Sequence, residues 1–435
     1  MHFSRLANSR GLQSRSTKPS ASSTAGFRLV GSRRENEGRS AAVSTGGPYY
    51  YDHTHTAWVP VSGSYPVAEP LSPGSQLNVV TWNIDFVAPY PYERARALLA
   101  YLHQQLHSSP YKGSVGSVIL LQEIRDQGPA SSSSSSSRSS VKGTTDSAMD
   151  AILSDEWIQS EFHLANVYIP GRYGTITLVS KTLPIARNTA RVSPPEATTA
   201  ATIAPLTSSN TLAQTDQDGC DTHCFRVPAP GSIYGRDILC VDLVHGGGGI
   251  LRICNVHLDS GDNHGVQARP AQLALASALV RKPNVVAGII AGDMNPCVPS
   301  DAHILQQQEN IGLKDVWVEH VGQTAAEAFD LAHHSGAPVT LSNCGEEACH
   351  TWGYQSSEGT LGAYSPKRLD KILYYSANSI TLQPFPVPAG TPPVRRLGVG
   401  ESIMLIVSTP PTQTGYQPVV LSDHFGLLTR FVISE

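Results

Sequence analysis

The sequence is poor in charge. Only 15% of its 435 residues are charged, and Ser, Thr, Pro and Gly take up the difference. That composition points to a globular body carrying long polar inserts. It also lacks a basic surplus. The net charge is −4, and residues 1–48 hold eight Lys and Arg against two Glu, so the remainder carries −10. A uniformly basic nucleic-acid-binding surface is therefore excluded, and a polyanion must meet a local basic patch or a bound metal. Cysteine is sparse and odd in number, seven in all. This fits buried thiols in a reducing compartment better than a disulfide framework. No apolar stretch has the length of a membrane span. No fixed-period repeat is visible.

The N-terminus has no apolar core of a secretory signal. Residues 1–34 carry seven basic residues and no acidic one. That is transit-peptide composition, although a disordered basic tail is the simpler reading. Two cysteine groupings stand out, Cys220 with Cys224 around His223, and Cys344 with Cys349 before His350. Neither has a recognised zinc-finger spacing, so core or loop roles are favoured over a zinc clip.

What is present is a set of apolar, β-branched runs that stop at polar residues. The fullest is Asn284 to Asn295, which ends Gly292-Asp293-Met294-Asn295. Such a run predicts a strand buried on both faces. Asp293 and Asn295 are two apart and point the same way from its end. Alone, this could be a strand followed by an Asx turn. The pattern recurs at Leu77 to Asp85, ending in Asn83 and Asp85, and at Ser117 to Glu123. It recurs again at Ile250 to His257, and in Ser422-Asp423-His424 just before a last strand at Gly426–Val432. Polar groups repeatedly placed at the ends of buried strands suggest a site on a rigid scaffold.

Around these runs, Ala95, Leu98, Leu99, Leu102 and Leu106 predict a helix. Met149 to Trp157 predicts a short one, and Pro270 marks a helix start. Asp301 is placed as the cap of a helix to about Asn310, and Met404–Ser408 as the partner of Gly426–Val432. Residues 1–48 read as a disordered basic tail and 49–76 as an irregular lead-in. Residues 77–435 read as one catalytic body interrupted by inserts at 127–147 and 182–235. Strands outnumber helices, which predicts a two-sheet sandwich with helices outside.

The inventory suits phosphoester cleavage. Glu123 is a ligand for a hard cation such as Mg²⁺. Asp293 can position a water, and His424 can offset charge on phosphoryl oxygens if Asp370 orients its ring. The ordered motifs Thr81-Trp82-Asn83-Ile84-Asp85, Leu121-Gln122-Glu123, Asn255-Val256-His257-Leu258-Asp259-Ser260, Gly292-Asp293-Met294-Asn295, Arg368-Leu369-Asp370 and Ser422-Asp423-His424 resemble the endonuclease/exonuclease/phosphatase superfamily. The closest likeness is to its branch that releases tyrosine or peptide from DNA 5′ ends.

That resemblance implies an α+β fold, a four-layer αββα sandwich of two mixed, mainly antiparallel sheets (DNase I-like). It implies Mg²⁺ or Mn²⁺, held by Glu123 and Asn83 with Asp85 nearby and Asp423 as an outer contact. It implies Asp293 acting on water, Asn295 on phosphate, and His424 with Asp370 as the transition-state donor pair. His257 and Ser260 would bind near the scissile phosphate, and Arg269 would sit by the substrate-bearing sheet ends. Trp352 would touch the leaving group or pack. Phe86 stands where the family has Gly and would crowd or stack at the substrate mouth. The partner implied is DNA with a 5′-linked tyrosine or peptide, with no membrane and no protein-interaction module, in the nucleus. Mitochondrion and cytoplasm stay open, as do an abasic-site endonuclease, a deadenylase, a phosphoinositide phosphatase and a silent binding scaffold.

Overall fold

The computed structural model describes residues 47–61, 65–108, 111–125, 147–165, 174–186, 224–296, 301, 312–321, 350–353, 367–377, 380–385, 393–399, 401–409 and 413–434. The chain enters as a hairpin, β1 (Tyr49–Asp52) and β2 (Ala57–Pro60), within the segment expected to be irregular. Asp52 accepts hydrogen bonds from the turn amides of Thr54 and His55. Trp58 is buried and donates its indole N–H to the Leu153 carbonyl at 3.0 Å, tying the hairpin to the body.

β3 (Gln76–Asn83) and β4 (Gly116–Ile124) are the predicted apolar strands, and α1 (Pro91–His107) joins them. The helix buries the predicted stripe from Ala95 to Leu106. The single short helix expected near Trp157 is two, α2 (Ala148–Ser154) and α3 (Glu156–Glu161). Asp155 is extended between them, and its carboxylate caps α3 at the Ile158 amide, so the break is local capping. β5 (Phe162–Ala165), β6 (Gly174–Ser180), β7 (Cys224–Pro228), β8 (Asp237–Val244) and β9 (Ile250–His257) follow. The stretch 182–235 is thus not all insert. Leu183 and Ile185 lie in the core, and β7 pairs antiparallel with β8.

α4 (His264–Val280) begins before Pro270, which lies inside it rather than at its first turn. A proline removes one intrahelical hydrogen bond. The burial of Ala268, Leu273 and Ala276, with Gln272 accepting from the Asp259 amide, offsets that loss. β10 (Val285–Asp293) is the predicted central run. After it come β11 (Lys314–Asp315), α5 (Val316–Val321), β12 (Asp370–Ser376), β13 (Thr381–Phe385), β14 (Val394–Leu397), β15 (Ser402–Thr409), β16 (Gln413–Val420) and β17 (Gly426–Ser434). The helix expected over 302–310 and the Ser run at 131–137 lie outside the described residues.

Among the described residues one sheet runs β13-β17-β3-β4-β6-β5-β1-β2, with β14 also on β17, and the other runs β11-β12-β10-β9-β8-β7. β15 and β16 form a separate ribbon. The expected pairing of Met404–Ser408 with β17 does not occur. A strand has two edges, and those of β17 are taken by β3 on one side and by β13 and β14 on the other.

Both sheets are mixed and mainly antiparallel. Each contains one parallel pair joined through a helix, β3–α1–β4 and β9–α4–β10. Leu77, Val79 and Leu120 of the first sheet meet Val241, Ile253 and Ile289 of the second in a shared apolar layer. α1, α2 and α3 cover the outer face of the first sheet, and α4 that of the second. The result is the expected four-layer αββα sandwich. One polar seam crosses its apolar middle. The Gln122 side-chain amide donates to Thr81 Oγ1 at 3.0 Å and to Asn255 Oδ1 at 2.9 Å. Asn255 Nδ2 in turn donates to the Ile176 carbonyl at 2.9 Å.

Candidate active site

The carboxyl ends of the four parallel strands converge. Asn83, at the end of β3, donates from one Nδ2 to Glu123 Oε1 at 3.1 Å and Asp293 Oδ2 at 3.0 Å. A single carboxamide therefore joins the ends of β4 and β10 across the two sheets. Its other atom, Oδ1, accepts from the Asp85 amide at 3.0 Å. Ser422 fixes the same strand end from behind, its hydroxyl donating to the Asn83 carbonyl at 2.6 Å.

Asp293 sits at the centre because of strand register. It lies opposite His257 of β9 on one side and Asp370 of β12 on the other. Its predecessor Gly292 has φ +150°, and a Cβ there would stand 1.8 Å from the Val256 carbonyl oxygen. Only glycine allows that approach. Asp293 Oδ1 accepts from the Asn295 amide at 2.9 Å, while the Asn295 side chain donates to the Leu258 carbonyl at 3.0 Å. Asn295 thus clamps the strand end and the start of the β9–α4 loop. His257 Nε2 is 3.4 Å from Asp293 Oδ2 and 3.8 Å from Glu123 Oε1.

His424 comes from the turn before β17. Its Nδ1 is 2.8 Å from Asp370 Oδ2, and its Nε2 is 3.8 Å from Asp293 Oδ2 and 3.9 Å from Asp423 Oδ1. Thr351 holds Asp370 in register by accepting from the amides of Leu369 and Asp370. The two histidines differ electrostatically. Burial and the nearby Arg236 push His257 below the usual imidazole range despite Asp293 and Glu123, so it is neutral. Burial opposes charge on His424 as well, but Asp370, Asp423 and Asp293 outweigh it and raise its pKa well above the usual value. His424 is thus an imidazolium at neutral pH. Burial also works against ionised Asp293. His257, His424 and the Asn83 amide overcome it and hold the carboxyl well below the usual carboxylate range.

Glu123, Asp85 and Asp423 form the outer rim. Glu123 is half-buried and accepts from the Phe86 amide as well as from Asn83. Asp85 caps the next turn through the amides of Val87 and Ala88. Burial and the like charge of Asp423 raise its pKa, against the pull of Arg94. Asp423 accepts the indole N–H of Trp352 at 2.9 Å. Glu123, Asp85 and Asn295 all have positive φ although none is glycine. Each such residue costs on the order of 1–3 kcal/mol and persists where surroundings over-determine it, which is common at functional sites.

The donor set fits a hard divalent cation. The carboxylates Asp85, Asp423 and Glu123 lie around Arg94, and Asp370, Asp423 and Asp293 lie around His424. Glu123 offers carboxylate oxygen at the solvent side, and the buried Asn83 a carboxamide oxygen just behind it, the oxygen donors that Mg²⁺ or Mn²⁺ prefers. Asp293, Asp370 and His424 also bring one ligand atom each within 4.8 Å of one another. That inner trio is already tied by hydrogen bonds, so Glu123 is the better anchor.

The strand-end residues named from the sequence are therefore brought together: Asn83, Asp85, Glu123, His257, Asp293, Asn295, Asp370, Asp423 and His424. Phe86 stands beside Glu123, with the Arg125 guanidinium over its ring at 6.0 Å. Trp352 reaches the rim through Asp423. Ser260 is half-buried in the loop after β9. Arg269 is not brought into the cluster. Its guanidinium pairs with Asp301 at 2.8 Å and donates to the carbonyls of Asp259 and Gly261, so it braces the β9–α4 loop. Sequence reasoning assigned no role to Ser422, Thr351 or Arg94. Arg94 is fully buried and donates to the carbonyls of Ile84, Leu421 and Asp85, which joins both rims of the site. Its only signal was a charged residue beside the apolar stripe of α1.

No family model matches the chain, and no curated protein matches it. Among solved structures it is similar to D. rerio TDP2 complexed with single strand DNA product, at 18% identity over 82% of this chain and 99% of that one, with a TM-score of 0.45. It is similar to C. elegans TDP2 at 15% identity over 85% and 78%, with a TM-score of 0.45. A Beutenbergia cavernae endonuclease/exonuclease/phosphatase gives 15% identity over 83% and 72%, with a TM-score of 0.40.

Proposed function

We propose that this chain is a divalent-metal-dependent phosphodiesterase that hydrolyses a 5′-phosphotyrosyl–DNA bond. One observation carries the reaction class. An ionised, buried Asp293 lies between a neutral His257 and a protonated His424, opposite the half-buried carboxylate of Glu123. Water attacks phosphorus while Asp293 orients it and accepts its proton. His424 donates from Nε2 to a non-bridging phosphoryl oxygen, with Asp370 fixing the ring. The P–O bond to tyrosine breaks with its electron pair going to the phenol oxygen, and the phenolate leaves to take a proton from solvent while the DNA keeps a 5′-phosphate. Glu123 and Asn83 would hold Mg²⁺ or Mn²⁺, and that cation would supply positive charge against the phosphoryl and departing oxygens. His257 is a neutral hydrogen-bonding partner beside the scissile group, and Asn295 holds Asp293 in place.

The DNA-end substrate rests on the motifs Thr81-Trp82-Asn83-Ile84-Asp85, His257-Leu258-Asp259-Ser260 and Ser422-Asp423-His424. Phe86 and Trp352, ring side chains at the rim, suit stacking on a base or tyrosine. A nuclear site of action follows from that substrate, and a reporter fused to residues 1–48 tests it against mitochondrial import. The substrate test uses purified chain with Mg²⁺ against 5′-tyrosyl DNA, abasic DNA, poly(A) and inositol phosphates. We expect turnover of 5′-tyrosyl DNA that is lost in Asp293→Asn. Turnover confined to another substrate would overturn the DNA-end assignment and leave the phosphodiesterase. Unchanged activity in Asp293→Asn would overturn the mechanism.

A further inference from the structure

A second cluster lies on the outer face of the helical layer. α1 buries Leu98, Leu99, Leu102 and Leu106 against the first sheet, which leaves His103 and His107 exposed, one helical turn apart. α3 ends at Glu161, packed beside them. His107 Nε2 is 3.4 Å from Glu161 Oε2, and one ligand atom from each of His103, His107 and Glu161 lies within 4.8 Å of the others. The imidazole rings of His103 and His107 are 4.4 Å apart.

The groups behind these atoms are arranged as supports. His107 Nδ1 is 3.0 Å from the His103 carbonyl. A proton on Nδ1 leaves Nε2 with its lone pair facing Glu161, the tautomer that a ligating histidine needs. Trp157 donates its indole N–H to Glu161 Oε2 at 3.0 Å and fixes the carboxylate. Its ring also packs 5.0 Å from His103 and 6.0 Å from His107. Nothing in the proposed reaction uses these residues. α1 starts near the strand carboxyl ends and runs back along the sheet for 17 residues, which puts its end roughly 25 Å from them.

We propose that His103, His107 and Glu161 form a binding site for a first-row transition-metal dication such as Zn²⁺. Two imidazoles and one carboxylate are the donors that such ions select, whereas Mg²⁺ prefers oxygen alone. Three protein ligands leave a fourth position for water or an external group. The cation would tie the end of α1 to the end of α3 and lie by the negative end of the α1 dipole.

The test titrates the full chain with Zn²⁺ in saturating Mg²⁺, which fills oxygen-donor sites. Calorimetry should show one Zn²⁺ site in the wild type that is absent in the His103→Ala, His107→Ala double variant. Ni²⁺ or Cu²⁺ should quench tryptophan emission in the wild type, and much less in Trp157→Phe. That variant should also bind Zn²⁺ roughly tenfold more weakly, because the support of Glu161 is gone. If the double variant melts lower without metal, Glu161→Gln decides instead. Its amide oxygen can still accept from Trp157, but its charge is gone. Equal Zn²⁺ stoichiometry and affinity in the wild type, the double variant and Glu161→Gln would overturn the site.

Discussion

The two sheets carry the same strand–helix–strand unit, yet their ends are built differently. β3 and β4 finish in an amide and a half-buried glutamate, with positive φ at Glu123 and at Asp85 just beyond β3. β9 and β10 finish in a histidine and an aspartate that are both buried and locked by register. The first unit presents carboxylates at the solvent edge. The second holds its carboxylate among hydrogen bonds. In the proposed reaction these equivalent scaffolds divide the work, with cation capture on the first sheet and water activation on the second. Asn83 joins the two.

The sharpest break in that comparison is Asp293→Asn. We expect kcat to fall by about 10³-fold or more, with little change in the Mg²⁺ concentration giving half-maximal rate. Steady-state rates across a Mg²⁺ series read both. Glu123→Gln should do the opposite. Its rate falls and partly recovers at high Mg²⁺, so the half-saturating concentration rises. If the two variants respond alike to Mg²⁺, the division of labour fails. Next is Asp370→Asn, which removes the main anionic partner of His424. We expect kcat to drop about 10²-fold. The alkaline limb of the rate profile should also shift to lower pH, because the pKa of His424 is raised mainly by Asp370. A raised pKa keeps the imidazolium present until pH rises through it.

Arg94→Met probes the link between the rims. It strands three buried carbonyls, each worth roughly 1–3 kcal/mol when unsatisfied. A large fall in melting temperature is expected, read by thermal denaturation. The smallest effect concerns Asp315, on the edge strand β11 of the second sheet. Burial raises its pKa, but Arg368 and Lys371 outweigh burial and lower it overall. The stability this supplies is complete above the unfolded value and is lost as pH falls through the folded one, below about pH 4. Asp315→Asn should flatten that part of the acid denaturation curve.

The strands that build the site were legible because each is buried on both faces and ends at a polar residue. Asn83, Glu123, His257 and Asp293 follow from that rule, and His424 stands just before the last strand. Their partners were less visible. Thr351 and Ser422 act through backbone amides and carbonyls, which leave no periodic trace. Arg269, expected beside the sheet ends, spends its donors on Asp301 and two carbonyls and so acts as a brace. Pairing in the tail misled for a topological reason. Composition reveals that Met404–Ser408 is a strand, but not that both edges of β17 are already filled.

The amide seam between the sheets has one more consequence. Apolar layers slide with little penalty, because one leucine contact resembles the next. Gln122, Thr81 and Asn255 do not slide. If one sheet is displaced by a residue, their donors are left in a dry interface at roughly 1–3 kcal/mol each. Asn83 and Asp293 would separate in the same displacement. The seam therefore works as an assembly check. Misaligned sandwiches are disfavoured before the strand ends meet, and only the aligned one contains a site.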